Sequence, residues 1–175
     1  MISTSPWLLC AAVLLLCSLS AVAQTAGNRA KDAVAIVELG GASSTSLSGG
    51  GSSFGPNIAV ELTPIENWLE LEIGVTPLFR HHRSTEWNTD LLFKKPWDIS
   101  KQFEFMAGLG PEWSYTKEAG TGRHAFALES ALDLMYWPRA KRRLGLFIEP
   151  AFEYSFSGGH ERSFGVTAGL LIAIR

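Results

Sequence analysis

The chain has 175 residues, with 15 Lys+Arg against 17 Asp+Glu and a formal net charge of −2, so no basic excess points to nucleic acid. Its two cysteines, Cys10 and Cys17, both fall within the first 23 residues, which excludes disulfide and thiol chemistry from the rest of the chain. No later stretch reaches the ~18 apolar residues that a helical membrane span requires.

The first element is a secretory leader over residues 1–23. An apolar run from Trp7 to Leu19 precedes Ala21-Val22-Ala23, a small-x-small cleavage signal before Gln24. Leu16 stands before Cys17 where a lipoprotein signal wants a small residue. Residues 24–32 form a short N-terminal segment, and 33–175 suit one domain. An exported chain of this kind is periplasmic, secreted, or a barrel in an outer membrane.

Eight strand-like runs follow: 33–40, 55–63, 69–79, 85–94, 102–115, 124–137, 144–156 and 163–174. Most alternate apolar and polar residues with period two, as half-buried strands do. The connections are of two kinds. Residues 63–68, 94–101 and 136–143 each hold one Pro and one Trp: Pro64 with Trp68, Pro96 with Trp97, Pro138 with Trp137. Residues 41–54, 80–84, 116–123 and 157–162 are Gly/Ser-rich or charged. The kinds alternate along the chain, so an up-and-down meander puts one kind at each end. A weaker repeat, GVTPLF, GLGPEW and FIEPAF, places Pro77, Pro111 and Pro150 in the third, fifth and seventh strands. Each Pro removes a ladder hydrogen bond and should mark a bulge or bend.

Residue size decides which face points inward. One face carries small residues punctuated by acids: Glu70, Glu72, Glu104, Glu112, Glu129, Asp133, Glu149 and Glu153 among Gly, Ala, Ser and Thr. A solvated outer face has no need to be small, whereas the interior of an eight-stranded barrel is just wide enough to be filled by side chains. The other face is apolar, with Phe103, Phe105, Leu109, Leu128, Leu132, Ile172 and similar residues. Trp68, Trp97 and Trp137 cluster at one end and Trp87, Trp113, Tyr115 and Tyr154 at the other, as the two aromatic girdles of a membrane barrel do.

On the AVAQ signal, the eight alternating runs, the Pro/Trp turns and the closing FGVTAGLLIAIR, the chain resembles the small eight-stranded outer-membrane barrels of Gram-negative bacteria, the OmpA/OmpX-like type. It departs from them in ending on Ile174-Arg175 rather than an aromatic. The resemblance implies an all-β, eight-stranded antiparallel up-and-down transmembrane barrel, outer-membrane lipid as a partner, and short turns facing the periplasm.

Like charges in a narrow lumen call for inward-reaching Arg partners or proton uptake, and the bases lie mainly near strand ends and loops. The acids make either a polar plug or a cation-attracting passage, and eight strands give no reason to expect an open pore. His81, His82, His124 and His160 all fall at the loop end, but their spacing fits no tight metal signature and they read as solvated. His82-Arg83-Ser84 superficially resembles the His-x-Ser pair of outer-membrane lipid A deacylases. No Asn follows it, and side chains two apart on a strand sit about 6.6 Å from one another. No catalytic, cofactor-binding or metal residues are therefore assigned, and no cofactor is expected. The expected role is non-enzymatic: envelope-structural, or binding an extracellular ligand through the loops. A lipid A-modifying hydrolase and a soluble periplasmic carrier barrel with inverted faces are the alternatives. Ligand, physiological role and oligomeric state are not encoded legibly.

Overall fold

The computed structural model describes residues 35–49, 51–80, 85–118, 121–138, 143–157 and 159–174. The expected leader, the 24–32 segment and the His82–Ser84 pair lie outside them. Eight strands run β1 Ala35–Ser46, β2 Ser52–Ile65, β3 Leu69–Leu78, β4 Glu86–Asp98, β5 Phe103–Glu118, β6 Thr121–Tyr136, β7 Leu144–Ser155 and β8 Arg162–Ile174. Each pairs antiparallel with its sequence neighbours, and β1 pairs with β8, so the sheet closes into a barrel. Closure leaves no open edge to aggregate.

The strands form where alternation predicts them, but several run further. Residues 41–46, expected in a long loop, continue β1, because Gly41 to Thr45 pair with β2 on one side and β8 on the other. Two ladders of backbone hydrogen bonds outweigh the low strand propensity of Gly and Ser. The β1–β2 loop shrinks to 47–51. Likewise β5 and β6 extend until only residues 119 and 120 join them, in place of the eight-residue loop expected. At the other end β4 runs on past the expected end at Lys94, with Lys95 to Asp98 paired with Ala107 to Glu104 of β5.

Of the bulge or bend expected at the three prolines, the ladders show no bulge. Across β4 and β5 the register holds through Phe93↔Leu109 and Asp90↔Glu112, with no pair between, at Pro111. β6 and β7 skip in the same way beside Pro150, between Leu134↔Ile148 and Ala131↔Ala151. Beside Pro77, β2 and β3 skip from Ile58↔Val75 to an isolated Phe54↔Phe79 bridge. In each case the missing rungs lie toward the preceding strand, while Pro77, Pro111 and Pro150 remain paired with the following one. The ring deletes a donor without inserting a residue, so the ladder is interrupted and the register survives. The one register shift in these ladders is between Leu62 and Ile65, at the Pro64 turn. Close approach requires glycine beside two of the gaps: a Cβ on Gly55 or Gly110 would lie 1.8 Å from the carbonyl oxygen of Pro77 or Leu91.

The interior carries the acids and the exterior the apolar residues, which rules out inverted faces. Glu70, Glu72, Glu104, Glu112, Glu129, Asp133 and Glu149 are buried. Ile73, Phe93, Leu109, Leu132, Leu146 and Leu170 are each about half exposed on the outer wall. An apolar wall this extensive marks a surface made for a non-aqueous or protein environment. One girdle member moves. Trp68 is exposed and Trp97 stacks on Phe105 at 5.7 Å, but Trp137 is 1 % exposed inside the barrel. It continues the inward parity of Asp133 and Met135, and packs with Met106, Met135, Phe147 and Leu171. Among the described residues that apolar cluster floors the lumen at the turn end.

Candidate functional site

Above the floor the lumen holds a charge cluster that sequence reasoning half saw. Its cation is Lys94, not an inward-reaching Arg. Lys94 is fully buried, donates to Glu72 on β3 and Glu149 on β7, and lies 3.5 Å from Asp133 on β6. One ammonium thus ties three strands across the lumen. In a dry interior such a network is favourable only with several partners per charge, which this geometry supplies. Lys94 ends the expected run 85–94 at the KKPWD connection, which hides its inward direction. Its parity with Asn88, Asp90 and Leu92 was the available signal. Glu38 and Glu61, each 1 % exposed, are further interior acids absent from the expected set.

Toward the loop end the lumen opens. A cavity of about 270 Å³ is lined by Arg80, Arg123 and Arg162, by Glu86, Glu112, Glu153 and Glu161, and by serines of β1, β5, β7 and β8. Arg80 pairs with Glu86 at 3.2 Å and the Ser163 hydroxyl donates to Glu153 at 2.6 Å. A smaller cavity of about 40 Å³ continues inward past Asp90 and Glu129 to Glu72 and Glu149. Glu86, Asn88 and Asp90 share the inward face of β4. The described histidines turn away from the cavity. His124 stacks on Trp113 and Tyr115, with ring centroids at 5.5 and 4.9 Å, and His160 Nδ1 lies 3.0 Å from the Tyr154 hydroxyl. Both histidines belong to aromatic clusters at the loop end.

No family model matches the chain, and no curated protein does. Solved structures do. Neisserial surface protein A superposes with a TM-score of 0.63 at 15% identity, over 80% of this chain and 97% of that one. This chain has the fold of the small eight-stranded outer-membrane barrels. The N-terminal β-barrel domain of Pseudomonas aeruginosa OprF agrees, with a TM-score of 0.57 at 10% identity over 78% of this chain and 97% of that domain. So does Ail, the attachment invasion locus protein of Yersinia pestis, in its complex with the heparin analogue sucrose octasulfate: TM-score 0.57, 14% identity, 79% of this chain and 96% of that one. With identities this low the likeness is one of architecture, and the mouth residues of this barrel must be argued on their own chemistry.

Proposed function

We propose that the protein is an outer-membrane barrel with a non-enzymatic role, binding a polar extracellular ligand at its loop-end mouth. The carrying observation is the lumen's asymmetry: an apolar floor closes the turn end, while a cavity of about 270 Å³ opens at the loop end. A floor of Trp137, Met106, Met135, Phe147 and Leu171 suits a plugged barrel rather than a channel. The exposed apolar wall is then the lipid-facing band, the turns face the periplasm and the mouth faces outward. Serine hydroxyls between three guanidiniums and several carboxylates suit a hydroxylated ligand bearing anionic groups, such as a sulfated or acidic sugar chain. The sugar sulfate bound by Ail supports that class of ligand by analogy of fold.

The test is binding of a heparin oligosaccharide to the folded barrel in detergent. Saturable binding that weakens about tenfold in Arg123→Ala or Arg162→Ala is expected, from loss of one or two charge-assisted hydrogen bonds. Binding indifferent to both substitutions overturns the mouth as the site.

A further inference from the structure

The five carboxylates of the lower lumen outnumber the single ammonium that Lys94 brings to them. Lys94 contacts Glu72, Asp133 and Glu149. Glu38 and Glu61 stand beside this network with nothing equivalent. Both oxygens of Glu61, one oxygen of Glu38 and one of Asp133 are buried and accept no hydrogen bond from the described residues. Glu61 also sits directly opposite Glu72 in the β2–β3 ladder, a like-charge pair that is unfavourable if left bare. Buried, ionised carboxylates without donors are costly, so these acids must either take up protons or meet a cation.

Geometry says what would fit. One oxygen from each of Glu38, Glu61, Glu72 and Asp133 can be chosen so that all four lie within 4.8 Å of one another. Oxygen ligands of Ca²⁺ lie about 2.3–2.6 Å from the ion, which puts opposed ligands about 4.6–5.2 Å apart and adjacent ones closer. The donor set is all oxygen, with no imidazole or thiolate, which selects a hard cation over zinc or copper. The ligands come from β1, β2, β3 and β6, so an ion there would join the β1–β3 wall to the far side of the barrel. The smaller cavity supplies a route, reaching Glu72 from the mouth past Glu153, Glu112 and Asp90. The apolar floor closes the other side.

We infer that the lower lumen is a binding site for one hard divalent cation of calcium size, held by Glu38, Glu61, Glu72 and Asp133. The ion enters from the mouth and stays, because the floor blocks passage. The sequence assigns no metal here, since its four ligands are spread from residue 38 to residue 133 in no compact motif.

The experiment is calorimetric titration of Ca²⁺ into the wild-type barrel, folded and purified in detergent free of divalent ions. One saturable site per chain is expected. Glu61→Gln and Glu38→Gln should each weaken it about tenfold or more, whereas Glu66→Gln in the exposed β2–β3 turn should leave affinity within about twofold. No saturable binding by the wild type means that protons alone neutralise the acids, and overturns the site. Binding retained in both lumen variants overturns it as well. Gel migration of each variant, heated against unheated, reports whether it has folded. Should neither fold, anomalous diffraction from wild-type crystals soaked in Mn²⁺ decides: a peak among the four carboxylates supports the site, and its absence there overturns it.

Discussion

The two ends of one lumen are built on opposite principles. The turn end is dry: Trp137 and its apolar neighbours close it, and of the buried acids just above, Glu72, Asp133 and Glu149 are tied to a single Lys94. The loop end is wet: its charges are numerous, mixed in sign and partly exposed, as in the Arg80–Glu86 pair. The same residue types therefore carry different energies according to height in the barrel. Buried charges are destructive when a partner is lost, whereas exposed pairs contribute little and remain available to a ligand. The lower half is organised for stability, and the proposed contact surface is the upper half.

The largest test of that contrast is Lys94→Met. It leaves Glu72, Asp133 and Glu149 facing one another without an ammonium, and should cost about 3–5 kcal/mol in urea unfolding of the detergent-folded barrel. A cost below about 1 kcal/mol would mean that the lower lumen is as wet as the mouth. Next is Trp137→Ala, expected to cost about 3 kcal/mol through the cavity it leaves. The same variant should let the barrel conduct ions in a planar bilayer, where the wild type stays closed. A conducting wild type would break the assignment of the floor. Adding Glu149→Gln to Lys94→Met should recover about 1–3 kcal/mol, because the two sites share one network. Two independent losses would show that Lys94 and Glu149 are not coupled. The smallest effect belongs to the mouth: Arg80→Ala should change stability by less than about 1 kcal/mol. A larger change there would erase the contrast from the other side.

Much of this was legible in the chain. Strand number, antiparallel order and the identity of the inward face all follow from period two and from the small-plus-acid composition of one face. Eight acids assigned to the lumen, from Glu70 to Glu153, point inward. Parity, followed to the last residue of the expected runs 85–94 and 124–137, also reaches Lys94 and Trp137. Both stand where an expected strand meets a Pro/Trp connection, and Pro96 and Pro138 beside them mask their inward parity, since proline ordinarily ends a strand. Pro96 instead remains in β4, paired with Met106. Nothing local marks the Gly/Ser run 41–46 as strand, since its order comes from two ladders supplied by β2 and β8.

By itself, then, the sequence determined which residues alternate, which face is small and acidic, and where the chain reverses. Those are local properties, set by neighbours one or two residues away. Only the closed barrel decided which acids meet which cation, that Glu61 stands opposite Glu72, and that a tryptophan from one hairpin floors the lumen. The physical reason is that alternation fixes the side of the sheet a side chain takes. Its partners across the lumen depend on register and closure, which strands far apart in the chain settle together.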